Sequence, residues 1–274
     1  MTKLVSNHSN IQARRYSKLT QRESAKSSLR LASGSRINQA ADDAAGLSIA
    51  TNLNSKTRSK QQAVRNSNDA HNILQTMDGV LNEMGSMIIR MRELAIGAAS
   101  DTYSDIERAM MQNELSQTSH EMNRIANSTD YLDHKLLVGN DKKLQIQVNT
   151  NNGEKNRINI DLKDMAQTTY ALGIADINIE TQHRATISLA KIDYAQNEIS
   201  HSRAKIGGIS SSLESNIQKL NVDVENEKAS HSRIKDADVA EETAASLKNK
   251  ILQDAQTSAM VQTTNMGRDY LKLI

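Results

Sequence analysis

Apolar residues recur at helical spacing between Ala70 and Ala98. Their intervals alternate between three and four residues, which predicts a helix with one continuous apolar seam made of Ala70, Ile73, Met77, Val80, Met84, Met87, Met91, Leu94 and Ala98. A further row widens this seam and favours burial against several neighbours, through Leu74, Leu81, Ile88 and Ala95. We therefore predict a long helix from about Asp43 to Ala98.

A second helix is predicted to begin at Ser104. Ser104 and Glu107 have the spacing of a capping box, in which each side chain satisfies the backbone N–H of the other residue. The helical period continues to about Ala126 through Met111, Leu115, Met122 and Ile125. Because only a few residues join the two helices, we expect them to form an antiparallel hairpin.

The period changes to two after residue 140. Apolar and polar residues alternate on both sides of Asn152-Gly153, which predicts a β-hairpin packed through Ile146, Val148, Ile158 and Ile160. Ile177 and Ile179 predict a further short strand, so the β region covers about 142–180.

A third long helix, of some fifty residues, is predicted from about Thr181. It packs through Ile206, Leu213 and Leu220. The two ends of the chain have a thin apolar pattern, represented by Leu19 near the start and by Ile251 and Leu271 near the end. Such segments bury too little surface to offset their ordering entropy, so we expect residues 1–32 to be disordered in a free monomer. We also expect the two ends to pair with each other.

These elements predict a mainly α protein. The architecture is an elongated antiparallel helical bundle or coiled coil with one small β-hairpin region. Its predicted parts are an N-terminal segment 1–42, a helical rod 43–235 that carries the hairpin, and a C-terminal segment 236–274.

Composition supports long helices. The 274 residues include no Pro, Trp, Phe or Cys, so no proline interrupts a helix and disulfides and thiolate metal sites are excluded. The hydrophobic fraction of 37% is low, which fits a thin bundle that completes its core by assembly. No apolar run approaches the length of a membrane span or resembles a secretory signal, so we expect no membrane insertion.

Charge leaves a nucleic-acid binder open as an alternative. The net charge is only +2, but basic residues dominate the first 36 positions, with Lys3, Arg14, Arg15, Lys18, Arg22, Lys26, Arg30 and Arg36 against the single acid Glu23. Scattered basic residues on a helix are more often a solvated or subunit-facing surface, so we predict no nucleic-acid partner.

Catalytic patterns are missing from the sequence. The seven His residues include no pair at metal-ligand spacing, and no phosphate-binding glycine loop occurs. Asp42 and Asp43 fit the start of a helix better than a carboxylate pair, because adjacent helical side chains point in different directions. Methionines at heptad positions are typical core residues. We predict that the protein is not an enzyme and needs no cofactor.

Several blocks together resemble bacterial flagellin. Residues 31–38 (LASGSRIN) and 41–50 (ADDAAGLSIA) are similar to the N-terminal signature of that family, and residues 65–70, 91–95, 232–240 and 251–255 follow in the family's order. The resemblance implies a filament subunit whose terminal segments form the inner tube and whose long helices form the surrounding shell. The short stretch between the second and third long helices implies a minimal flagellin without an outer domain.

The resemblance also implies location and partners. A flagellin is exported by the flagellar type III route without a cleaved signal, and it assembles outside the cell into the filament used for swimming. The implied partners are other copies of the chain, an export chaperone, the filament cap and hook-junction proteins. A host flagellin-sensing receptor is a further implied partner, and the matching surface here comprises Arg90, Leu94 and Glu114. The alternative within the same group is a flagellin-like hook–filament junction protein, which does not polymerise indefinitely.

Overall fold

The computed structural model describes the backbone of residues 2–131, 134–139 and 143–272, and the side chains of residues 11–265 within those ranges. Five helices account for most of this part of the chain: α1 (Thr2–Ser33), α2 (Ala44–Ala99), α3 (Asp105–Ser128), α4 (Gln182–Lys235) and α5 (Val239–Lys272). Four short strands lie between α3 and α4: β1 (Asp130–Tyr131), β2 (His134–Lys135), β3 (Lys143–Gln147) and β4 (Arg157–Asp161). The predicted helices and the predicted mainly α class are confirmed.

The chain forms two compact units. One comprises Met1–Thr57 with Glu225–Ile274, and the other comprises Arg58–Val224. We call them the terminal unit and the central unit. Their limits fall inside α2 and α4, whereas the predicted limits at residues 42 and 235 lie at the segments that precede α2 and follow α4. The predicted domains describe how the subunit is divided within an assembled filament, whereas these two units describe the single chain. The predicted domains therefore stay a prediction.

The core of the central unit is the apolar seam of α2, packed against α3 and α4. Within it the structure buries Ile73, Met77, Met84, Met91, Ile206 and Leu213, with Val80 half-buried against the cluster. Leu220 is also buried, further along α4. Two ion pairs join α2 to α4, Asp78 with Arg203 at 2.9 Å and Arg92 with Asp193 at 2.7 Å. Residue numbers fall on one helix as they rise on the other, so the two helices are antiparallel.

The start of α3 has the predicted capping box. The Ser104 side chain accepts from the backbone N–H of Glu107, and the Ser104 backbone N–H donates to the Glu107 carboxylate at 2.7 Å. Arg108, buried one position further on, donates from Nε to the Ala98 carbonyl and from Nη2 to the Ser100 carbonyl, both at 2.9 Å. Arg108 therefore satisfies two carbonyl groups at the C-terminal end of α2, where the helix itself supplies no donor.

The predicted β-hairpin is formed by β3 and β4. They are antiparallel, with Ile146 opposite Ile158 and Leu144 opposite Ile160. The connection between them runs from Val148 to Asn156, contains Asn152-Gly153 as the sequence indicates, and forms a 3-10 turn over Glu154–Asn156. A second antiparallel pair, β1 with β2, was not predicted.

The short strand predicted at Ile177 and Ile179 is also wrong. Both side chains are buried, but the segment is irregular. The Gln112 side chain of α3 takes the place of a neighbouring strand. Its Nε2 donates to the Ile177 carbonyl at 3.2 Å, and its Oε1 accepts from the Ile179 N–H at 2.7 Å. A side-chain amide carries the same donor and acceptor as a peptide group, so the pairing needs no strand.

In the terminal unit, the segment after α1 pairs with the segment before α5. Gly34 has φ of +67°, a conformation that glycine adopts without strain, and it ends α1 as the Ser-Gly-Ser sequence predicts. The Arg36 N–H donates to the Lys235 carbonyl at 2.6 Å, and the Ala237 N–H donates to the Gly34 carbonyl at 2.9 Å. The chain therefore leaves α1 and enters α5 through two segments that are hydrogen-bonded to each other.

Candidate assembly surfaces

The terminal helices α1 and α5 pack against each other. Arg30 Nη1 lies 2.7 Å from Glu242 Oε1, and Gln256 Nε2 donates to Thr20 Oγ1 at 3.0 Å. Residue numbers again run in opposite directions, so the helices are antiparallel. The predicted pairing of the two ends is confirmed.

The face of α1 that meets α5 is polar and made of small residues. Ser27 is buried there, and the other sheltered positions at helical spacing are Ala13, Ser17, Thr20 and Ser24. On α5 the corresponding positions include Ala245, Asn249, Gln253 and Gln256. The contact therefore relies on hydrogen bonds and one ion pair more than on apolar burial.

Both helices also expose large apolar side chains, which lie among charged and polar ones on the surface outside the α1–α5 contact. We call this set the outer apolar face, and it comprises Ile11, Tyr16, Leu19, Leu29, Val239, Leu247, Ile251, Leu252 and Val261. Ile251, predicted to pack, is 60% exposed in the single subunit. Leu271, predicted to pack beside it, lies outside the described side chains. Exposed large apolar side chains on a pair of packed helices indicate a surface that another protein chain can cover.

The segment between α1 and α2 is held by two carboxylates. Asp42 accepts from the backbone N–H groups of Gln39 and Asn38 and pairs with Lys26 at 3.2 Å, and these contacts, in that order, lower the pKa of Asp42. Asp43 accepts from the Gly46 N–H at 2.8 Å and caps α2. The helix-start interpretation of this acidic pair is confirmed.

Arg90 and Glu114, two of the three residues of the predicted receptor surface, meet across α2 and α3. Arg90 Nη2 lies 2.6 Å from Glu114 Oε1, and Arg90 Nη1 lies 3.1 Å from Glu93 Oε2. The hydrogen bonds that Arg90 donates to Glu114, first, and to Glu93, second, raise the pKa of Arg90. Leu94 is only 7% exposed and belongs to the core, so the accessible part of this surface is the exposed charge cluster.

The β-hairpin is anchored to both long helices of the central unit. Val148 and Ile160 are buried, and Ile146 and Ile158 are half-buried against the core. Asn66 of α2 donates from Nδ2 to the Gln147 carbonyl at 3.1 Å, and Asn216 of α4 donates to the Val148 carbonyl at 2.9 Å. Sequence reasoning found the apolar contacts and missed both asparagines, since an isolated Asn in a helix carries no pattern.

Within the described residues, no group of three His, Asp or Glu side chains is placed to hold a metal ion. No helix in the described part of the chain is long and apolar enough to cross a membrane.

Comparison with known proteins decides the family. The model for the bacterial flagellin N-terminal helical region matches residues 5–142, and that for the bacterial flagellin C-terminal helical region matches residues 189–274. This chain is a bacterial flagellin. It is 34% identical over 245 residues to a flagellin of Halalkalibacterium halodurans, covering 89% of both chains. It is 31% identical over 283 residues to a flagellar filament core protein of Brachyspira hyodysenteriae, covering 98% of both.

Solved structures agree on the fold of this flagellin. The crystal structure of Bacillus cereus flagellin matches with a TM-score of 0.50 at 24% identity, covering 57% of this chain and 88% of that one. A Vibrio parahaemolyticus protein described as flagellar hook-associated matches with a TM-score of 0.59 at 15% identity, covering 71% and 100%. At such identities the likeness concerns the fold alone.

The flagellin family settles the broad function. The chain is a structural, non-enzymatic subunit that self-assembles into the extracellular bacterial flagellar filament. The relatives favour a filament subunit over a hook–filament junction protein. The outer apolar face is therefore a candidate for contact between copies.

Proposed function

We propose that this flagellin polymerises by burying the outer apolar face of α1 and α5 against other copies of itself. The observation that carries the proposal is the position of Leu247, Ile251 and Val261 on one side of α5, opposite the side that meets α1. Burying one Leu or Ile side chain contributes roughly 1.5–3 kcal/mol. Repeated over many subunits, this contribution favours a filament.

The same helices are proposed to be unfolded in the free subunit and to fold at the growing end of the filament. The polar inner contact between α1 and α5 supports this, because it offers little apolar burial to offset the entropy of ordering two long helices. Contact with neighbouring copies adds the missing burial. Folding and assembly are then one event.

An unfolded N-terminal segment also suits export by the flagellar type III route without a cleaved signal. A chain without cysteine forms no disulfide that would hold it folded before export. An export chaperone that covers the outer apolar face, a filament cap that receives the subunit and hook-junction proteins at the filament base complete the proposed set of protein partners.

Seeded elongation tests the proposal. Purified subunits are added to short filament fragments, and light scattering and negative-stain images follow elongation. The double variant Leu247→Ser with Ile251→Ser is expected to fail to elongate seeds, whereas Lys248→Ser, an exposed polar change on the same helix, elongates like the parent. Elongation of the double variant at the parent's critical concentration would overturn the proposal.

A host flagellin-sensing receptor is proposed to contact the exposed cluster of Arg90, Glu93 and Glu114. The proposal is supported by the exposure of these three charged side chains. Leu94 is buried, so it is not available for contact. Arg90→Ala is expected to reduce signalling in cells that express such a receptor. Arg124→Ala removes an exposed arginine on α3 that lies outside this cluster, and it serves as the control. An equal loss of signalling in both variants would count against the cluster.

A further inference from the structure

The loop between β3 and β4 places an exposed asparagine before a glycine. Asn152 and Gly153 both lie on the surface, and Gly153 has φ of +123°. The backbone N–H of Gly153 donates to Asn152 Oδ1 at 2.9 Å. The peptide nitrogen of Gly153 is therefore held against the side-chain carboxamide of the preceding residue.

We propose that Asn152 is a site of spontaneous deamidation in the folded subunit. The Gly153 nitrogen loses its proton to solvent base and forms a bond to Cγ of Asn152. The bond from Cγ to the side-chain nitrogen breaks, and that nitrogen leaves as ammonia. Water then opens the five-membered succinimide at either carbonyl, which yields aspartate or β-linked isoaspartate. No oxidant or reductant takes part.

Asn149 provides an internal comparison in the same loop. The Thr150 N–H donates to Asn149 Oδ1 at 2.8 Å, so the local contact is the same. Thr150 carries a β-branched side chain that crowds its own nitrogen, whereas Gly153 has no Cβ. The residue that follows the asparagine, and not the contact alone, therefore makes Asn152 the reactive position.

The bonds around Gly153 show what the reaction would change. The Asn156 N–H donates to the Gly153 carbonyl at 3.1 Å, and Asn156 Nδ2 donates to the Asn152 carbonyl at 3.3 Å. In isoaspartate the main chain runs through Cβ and Cγ of residue 152, so it is one carbon longer, and the former main-chain carbonyl of that residue becomes part of a free carboxylate. The 3-10 turn before β4 would then lose its hydrogen-bonding geometry.

The reaction would also add a negative charge at the edge of a groove whose lining side chains are uncharged. The groove between α2 and this loop is lined by amide and hydroxyl groups of Ser59, Gln62, Asn66, Gln147 and Asn149. A new carboxyl group is ionised at neutral pH. Each aged subunit thus carries a charge beside the contact that anchors the hairpin to α2.

Timed incubation of the folded, purified subunit tests the site. Peptide mass spectrometry measures how much of each asparagine side chain has been converted from the amide to the carboxylic acid. Enzymatic methylation of isoaspartate identifies the β-linked product. Product at Asn152 is expected to accumulate severalfold faster than at Asn149 or Asn151. The rate should rise with pH, because attack needs the deprotonated nitrogen.

Two comparisons keep the proposal falsifiable. Asn152→Gln retains an amide but would require a larger ring, so it should abolish the product at this position and leave the other asparagines unchanged. Incubation in urea gives the rate without the fold. Equal rates at all three asparagines, or product at Asn152 only in urea, would overturn the proposal.

Discussion

Arg30 of α1 donates from Nη1 to Glu242 of α5 at 2.7 Å, although 212 residues separate them in the sequence. The two side chains are 24% and 11% exposed, so most of the pair is shielded from water. It is the one ion pair between α1 and α5 among the described residues. This ion pair therefore fixes how α1 and α5 align along their length. The rest of the contact between them is formed by uncharged side chains.

Loss of this pair should weaken assembly. A hydrogen bond to a charged group contributes roughly 1.5–3 kcal/mol, so Arg30→Ala is expected to raise the critical concentration for seeded elongation about tenfold or more. Glu242→Ala should act similarly, and the double variant should cost less than the sum of the two. Arg22→Ala, at an exposed position of α1, is the control, and strictly additive effects of Arg30 and Glu242 would contradict the coupling.

Two neighbouring isoleucines of α2 have opposite environments, because one lies in the core of the central unit and the other on its surface. Ile88 is 1% exposed, whereas Ile89 is 52% exposed. Ile88→Ala should lower the free energy of unfolding by about 2–5 kcal/mol because it leaves a cavity in the seam of α2. Ile89→Ala should change it by no more than about 0.5 kcal/mol. Urea unfolding of the free subunit measures both, and equal losses would show that the seam is placed wrongly.

The capping box of α3 should make stability depend on acid pH. The hydrogen bond from the Ser104 backbone, followed by that from its hydroxyl, holds the pKa of the Glu107 carboxyl below its ordinary value of 4.5. The resulting stabilisation is complete above that ordinary value and is lost as the pH falls through the lower, folded-state pKa. The difference in urea midpoint between the parent and Glu107→Gln should therefore shrink below about pH 4.5.

Ser104→Ala is the matched variant for this pH profile. It removes the hydroxyl contact and leaves the larger backbone contribution, so most of the pH dependence should remain. A difference between parent and Glu107→Gln that stays constant through the acid range would contradict the assignment.

Gln112 should control the order of the segment that contains Ile177 and Ile179. Gln112→Leu leaves a partly buried carbonyl and N–H without their side-chain partner, at a cost of roughly 1–3 kcal/mol. Hydrogen exchange at the Ile179 amide should become faster, while exchange in the core of α2 changes little. Gln117→Leu, at an exposed position of the same helix, is the comparison. Unchanged protection of Ile179 in Gln112→Leu would reject the proposed role.

Repeating patterns made much of this fold predictable. The heptad seam of α2, the capping box at Ser104 and the alternation around Ile146 and Ile158 all depend on residues close together in the sequence. The burial of Met77 and Met84 follows from the same periodicity. Local signals of this kind are strongest where an element is long and regular.

The missed features depend on distant or very short segments. Gln112 meets Ile177 and Ile179 more than sixty residues later, and one amide on a polar helix has no periodic signal. Strands β1 and β2 contain two residues each, too few to show alternation. Alternation at Ile177 and Ile179 indicated burial correctly, but burial does not require a strand. Leu94 shows a related difficulty. It matches a residue of the receptor surface in the family that the sequence resembles, but in this structure it belongs to the core.

The pairing of α1 with α5 has a consequence for synthesis of the chain. Ribosomes make α1 before α5, and domains generally fold as their residues emerge. The central unit is complete once residue 224 has emerged, whereas Arg30 must wait for Glu242 and the helix beyond it. During translation α1 therefore remains without its intramolecular partner until α5 has been synthesised.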